Sequence, residues 1–152
     1  YSMPPLRLKI IPILSKFLIA VNSLILIMMG FLYVSGDATI PPKIVIFTLL
    51  GFTAVINFID IKDYKGDKAH GIKTLPTILG LKKSKILIAI FMLLTYLASF
   101  FVLKSLYLFI VFTFIGFLQV YFITSSNYKE KPVFITYIVS ILVFIIYTYL
   151  NL

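Results

Sequence analysis

The chain contains no cysteine and no tryptophan, a single histidine, and only five acidic residues in 152. Without cysteine, a disulfide framework and a thiolate metal site are both excluded, and the redox compartment is left undetermined. One histidine, His70, cannot make a histidine-cluster metal site. Charge of either sign is scarce: 12% of residues are charged and 61% are hydrophobic, with a mean hydropathy of +1.10. A soluble domain of this length needs many more charges to cover its surface. The net charge is +9. The lysines nevertheless flank apolar runs and form no basic stripe on a soluble fold, so nucleic acid is not an expected partner. The chain opens on Tyr1-Ser2 with no secretory n-region and h-region ahead of it. A processed N-terminus, or the C-terminal piece of a longer protein, is expected from that opening.

What the chain has in quantity is uncharged apolar sequence. Runs at about 17–36, 43–60, 86–103, 106–124 and 133–151 each approach the ~20 residues that a membrane-spanning helix needs. They are apolar all round with no polar stripe, which points to burial in a bilayer over a soluble bundle. The expected fold class is therefore all-α: one multi-pass membrane domain over residues 1–152 with five transmembrane helices. Residues 1–16 read as a loop, because Pro4-Pro5 forbids regular helix there, although Pro12 suits an early helical turn. Gly36, Asp37, Pro41 and Pro42 mark a turn, Lys104-Ser105 a minimal one, and residues 125–132 a loop. Tyr33, Tyr107, Tyr128, Tyr147 and Tyr149 sit near the ends of the runs, where an amphipathic ring suits the interface. Asn22 and Ser23 are expected to hydrogen-bond between helices.

Charge sets the topology. Five spans put Arg7, Lys9, Lys16, Lys62, Lys65, Lys68, Lys73, Lys82, Lys83, Lys85, Lys129 and Lys131 on one side, and only Lys43 and Lys104 on the other, 12 against 2. The positive-inside bias places the larger group in the cytoplasm. Lys82, Lys83 and Lys85 read as topology determinants and lipid-phosphate contacts.

Between the second and third runs lies the one stretch rich in reactive groups, NFIDIKDYKGDKAHGIKTLPTILG at 57–80. It holds three of the five acidic residues, the histidine and four lysines, with a motif loop expected over residues 60–76. Asp60, Asp63 and Asp67 are spaced i, i+3, i+7, so on a helix their carboxylates share one face. Adjacent like charges repel unless cations sit between them. Two arrangements meet that need. Lys62, Lys65 and Lys68 can interleave in a solvated, salt-bridged helix end, or the all-oxygen set can hold a hard divalent ion such as Mg2+. In the second arrangement Mg2+ bridges the carboxylates to a phosphate or diphosphate whose greasy tail lies among the apolar helices. Lys68, Lys73, Arg7 and Lys9 then supply further positive charge to that head group. Asn57, one turn before Asp60, is a candidate to steady its carboxylate. Gly66 and Gly71 are expected to let the loop fold over the head group, and His70 reads as a loop residue with no catalytic task.

The stretch NFIDIKDYKGDKAHGIKTLP resembles the second aspartate-rich motif of the UbiA superfamily of intramembrane prenyltransferases. Asp63 and Asp67 stand at its DxxxD core, Asp60 at the aspartate that often precedes it, and residues 71–76 at its glycine-flanked TLP stretch. The opening YSMPPLRLK is similar to the family's YSxPPLRLK loop between its fourth and fifth helices. The resemblance covers the whole chain and implies that these spans are the fifth to ninth of a nine-helix fold. It implies Mg2+-dependent transfer of a prenyl group from an allylic prenyl diphosphate to an aromatic or lipid acceptor within the membrane. Asp63 and Asp67 would be catalytic, with Asp60, Asp63 and Asp67 as metal ligands. Tyr1 would line an apolar chamber and stabilise the allylic cation with its ring face.

The family's first motif, an NxxxDxxxD between its second and third helices, is not among these residues. One half of a two-motif site is therefore expected here, completed by the family's first four helices, and the chain alone is expected to be inactive. Two other classes compete. A CDP-alcohol phosphotransferase also uses aspartates and Mg2+ in a membrane bundle, but its DGxxAR signature is missing. A channel or transporter fragment would carry ionisable residues inside its spans, whereas here they are confined to loops and helix ends. Neither the acceptor nor the prenyl length is legible, since the superfamily uses aromatic acids, quinone precursors, porphyrin-type rings and glycerol-phosphate lipids.

Overall fold

The computed structural model describes residues 12–36, 39 and 42–150. They form α1 (Pro12–Ser35), α2 (Pro42–Ala69), α3 (Leu75–Leu79), α4 (Leu81–Leu103), α5 (Leu106–Thr124) and α6 (Glu130–Leu150). All but the short α3 are long and apolar enough to cross a membrane, which makes five candidate spans in an all-helical chain.

Expected and observed helix ends disagree on one side only. Away from the cation-rich loops, the ends fall at Ser35, Pro42, Leu103 and Leu106, within a residue of where hydropathy put them. Toward those loops four of the five helices overrun, while α5 ends at Thr124 as expected. α1 starts at Pro12 and not near residue 17, α2 continues to Ala69 and not to about 60, α4 starts at Leu81 instead of 86, and α6 at Glu130 instead of 133. Hydropathy reports how much chain suits hydrocarbon, while helical hydrogen bonds are internal and continue through charged turns. Residues 60–69, expected in a loop, are helical for that reason.

Local chemistry fixes where these helices stop. Gly71, at φ +66°, ends α2: its N–H donates to the Lys68 carbonyl at 3.4 Å and the Ile72 N–H to the Asp67 carbonyl at 2.8 Å. That pair of bonds is a Schellman motif, and only glycine enters the left-handed position without strain. Thr74 then opens α3, its N–H donating to Thr77 Oγ1 at 2.7 Å, with Pro76 in the first turn where no N–H is needed. Between α4 and α5 the turn is as short as expected, but Lys104 itself takes the left-handed conformation, φ +51°. Ser105 caps α5 by accepting from the Leu108 N–H at 3.3 Å.

The chain divides inside α4, between Ser84 and Lys85, into two compact units. In the first, the short connection after α1 makes α1 and α2 antiparallel neighbours. Ala20 and Leu24 of α1 and Ala54, Phe58 and Ile61 of α2 are buried. Ser23, expected to bond across helices, instead donates to the Ile19 carbonyl of its own helix at 3.0 Å. In the second unit, Tyr96 of α4 packs with Leu108, Phe112 and Ile115 of α5, against Val143 and Tyr147 of α6. The Tyr96 and Phe112 rings meet edge to face, centroids 5.8 Å apart. Gln119 Nε2 donates to the Tyr96 hydroxyl at 3.1 Å, which donates to Ser140 Oγ at 3.2 Å, joining α5, α4 and α6. Lys85, expected as a topology determinant and lipid-phosphate contact, donates to the Ser125 carbonyl at 3.4 Å and lies 4.4 Å from the Tyr128 ring centroid. Burial, and then the charge of Glu130, push the Tyr128 phenol well above its ordinary pKa, so the ring facing Lys85 stays neutral.

Candidate functional site

The aspartates occupy the last three turns of α2. At 3.6 residues per turn, seven residues bring Asp67 back to within ~20° of Asp60, whereas three leave Asp63 ~60° to one side. The structure follows that arithmetic. Asp60 and Asp67 are buried, 5% and 7% exposed, while Asp63 is exposed. The expectation of one shared stripe is thus refined to a buried pair with a flanking exposed carboxylate.

Asp60 is the best-defined member. Its Oδ1 accepts from Lys16 Nζ at 2.5 Å, an ion pair whose side chains are 11% and 7% exposed on the lysine and aspartate respectively. Its Oδ2 is buried with no hydrogen-bond partner. The pair forms because α1 and α2 run antiparallel, bringing the second turn of α1 beside the end of α2. Sequence reasoning missed Lys16, counting it as a loop charge. The available signal was a lysine adjoining an uncharged apolar run that Pro12 was suited to open one turn earlier.

The other expected site residues fall as follows. Asn57 is buried, and its Nδ2 donates to the Thr53 carbonyl at 2.7 Å, one turn back, and not to Asp60. Its expected part in steadying Asp60 is therefore replaced by Lys16. Lys68 is exposed, its ammonium 5.8 Å from the Tyr64 ring centroid. Lys73 is exposed in the connection between α2 and α3. Gly66 lies inside α2 and is no hinge, so of the two glycines expected to free a loop, only Gly71 stands at a turn. His70 Nδ1 donates to the Gly66 carbonyl at 2.8 Å, sharing that acceptor with the backbone N–H of His70 at 3.0 Å. Tyr1, Arg7 and Lys9 lie outside the described residues.

Whether these residues suit a divalent ion can be judged from their chemistry. An all-carboxylate donor set and one buried carboxylate oxygen without a partner fit a hard cation. Among the described residues, however, no three acidic or histidine side chains gather closely enough to enclose one. Mg2+ is commonly held by one or two carboxylates together with water and substrate phosphate, so a partial protein shell is a fit and not a misfit.

Residues 1–141 match the UbiA prenyltransferase family. The chain is also similar to two proteins named digeranylgeranylglyceryl phosphate synthase. It is 45% identical to that of Pyrococcus furiosus over 37% of this chain and 24% of the relative. The protein from Pyrococcus horikoshii is 40% identical over the same shares, 37% and 24%. The chain thus spans about a quarter of the length of the curated relatives it matches. No solved structure matches it.

Proposed function

Because this chain belongs to the UbiA prenyltransferase family, we propose that it takes part in transferring a prenyl group from an allylic prenyl diphosphate to a glycerol-phosphate lipid inside the membrane. The observation that carries the proposal is the buried end of α2, where Asp60 and Asp67 lie on one face and Asp60 Oδ2 lacks a partner. The lipid acceptor rests on the printed name of the two Pyrococcus relatives. Asp63 and Asp67, with Asp60, would hold Mg2+, and the site would face the cytoplasm by the 12-to-2 split of cations.

In the reaction, the bond between the prenyl C1 and the diphosphate oxygen breaks, its electron pair leaving on the diphosphate. An acceptor hydroxyl oxygen forms the new C–O bond and gives up its proton. Mg2+, when bound, would supply positive charge to the leaving diphosphate. The chain's own residues act on either side of that event. The rigid end of α2 fixes the carboxylates before substrate arrives, so little reorganisation is needed as charge develops. Exposed Lys68 and Lys73 add positive charge at the same end of the unit, where an anionic leaving group needs it. The uncharged spans offer the prenyl tail an apolar surface and keep water from the allylic cation.

Asp63→Asn and Asp67→Asn, made separately in the intact protein, should each lower prenyl transfer by about 100-fold or more, on the scale of losing a transition-state charge partner. Helical content by circular dichroism should be unchanged. The assay is transfer from a labelled allylic diphosphate to a glycerol-phosphate lipid in Mg2+. Wild-type turnover by both variants would remove the aspartates from the site, and transfer only to aromatic acceptors would overturn the lipid assignment.

A further inference from the structure

One ion pair is left over when the reaction's needs have been met. The Lys16 ammonium sits on Asp60 Oδ1, both side chains nearly buried, beside the Asp60 Oδ2 that nothing satisfies. A buried carboxylate released from its cation is costly unless another cation replaces it. A divalent ion on Oδ2 with Lys16 still on Oδ1 would bring two cations, three positive charges in all, to one carboxylate, where they repel across a poorly screened site. The two cations therefore compete for Asp60.

We infer that Lys16 is a place-holding positioning residue: it occupies Asp60 in the empty site, yields it to the metal when diphosphate arrives, and takes the diphosphate as its new partner. The inference rests on the reading of this site as a Mg2+–diphosphate site and adds to it an order of events. Lys16 weakens binding of metal alone and strengthens binding of metal with diphosphate, which couples the two ligands. By linkage the coupling is reciprocal, so diphosphate without metal also meets a site whose lysine is already engaged. The device keeps Mg2+ from occupying the site unproductively in the absence of substrate.

The intact protein, purified in detergent, is titrated by calorimetry with Mg2+ alone, and separately with Mg2+–inorganic diphosphate. Lys16→Met, similar in length and uncharged, should bind Mg2+ about 5-fold or more tightly than wild type, and Mg2+–diphosphate about 5-fold or more weakly. Lys16→Arg should restore both values toward wild type. A residue with a merely structural role would shift both affinities in one direction or neither, and either result overturns the inference. Adding Asp60→Asn to Lys16→Met should abolish the gain in Mg2+ binding; a gain that survives also overturns it. A second measurement needs no variant. In the wild-type chain, acylation of the Lys16 amine, read by mass spectrometry, should speed up as Mg2+ alone displaces it and slow again when diphosphate is added. An acylation rate indifferent to Mg2+ refutes the exchange. The underlying site is judged separately: if Asp63→Asn and Asp67→Asn leave Mg2+–diphosphate binding intact while Lys16 still responds to Mg2+, the assignment of Asp63 and Asp67 fails and the exchange at Asp60 stands.

Discussion

Gly116 shows how a single side chain, or the lack of one, sets the approach of two helices. A Cβ built there would lie 3.0 Å from Leu93 Cδ1 and 3.3 Å from Tyr96 Cδ2. Small residues of this kind let membrane helices come close enough for dispersion and polar contacts to hold them. Here the closeness serves Tyr96, which bridges Gln119 and Ser140 in a setting without water to satisfy its hydroxyl. Gly116→Leu should cost roughly 1–3 kcal/mol by overpacking. Chemical denaturation in detergent, followed by tyrosine fluorescence, would read that loss; a stability equal to wild type would show that α4 and α5 can part without penalty. Nothing in the sequence distinguishes Gly116 from the other glycines within apolar runs. The same holds for Lys16, whose partner lies 44 residues away. Residue roles that depend on a distant partner were the least legible part of this chain.

At the scale of an element, the unit of meaning is the helix end. The aspartate motif and the TLP stretch after it do different jobs. The first places carboxylates on the last turns of α2, and the second is capping chemistry: Gly71 stops α2, Thr74 and Thr77 start α3, and Pro76 fills a position that needs no N–H. The motif's shape is thus partly a device for ending a helix a few residues after Asp67. Lys104 is the counter-example, a non-glycine residue at φ +51° in a two-residue turn. A left-handed conformation costs an L-residue roughly 1–2 kcal/mol, so Lys104→Gly should raise stability, less the entropy that glycine adds to the unfolded chain. The check is the midpoint of thermal unfolding in detergent, and a lower midpoint would mean that the lysine side chain repays its strain. A positively charged residue at that turn, on the side with only one other cation, also bears on topology, which is a property of the whole chain.

For the whole molecule, the strongest single fact is the asymmetry of charge. It predicts an orientation by a mechanism that needs no folded structure, since lysine and arginine bias insertion before the helices pack. Native cysteine is absent, so single-cysteine labelling is clean. His70→Cys should react with an impermeant maleimide only from the cytoplasmic face, and Ala38→Cys only from the opposite one. The reverse pattern would invert the topology and move the proposed site to the other side of the membrane. The many large apolar side chains that stay exposed, such as Leu26, Met29, Phe114 and Ile145, suit a lipid environment and would be unaffordable in water.

By itself the sequence determined the number of candidate spans, their apolar ends and the family, because hydropathy and a spaced motif are each local and survive without knowledge of contacts. It also singled out the candidate residues of the proposed site, Asp60, Asp63 and Asp67, though not how they divide. Only the tertiary structure decided that Asp60 and Asp67 are buried while Asp63 is exposed, that Asn57 bonds back along its own helix, and that Lys16 holds Asp60. The physical reason, for the aspartates, is packing. A helix fixes the angles between its own residues, but which face is covered, and by what charge, depends on the neighbour that packs there, and for Asp60 that neighbour is α1.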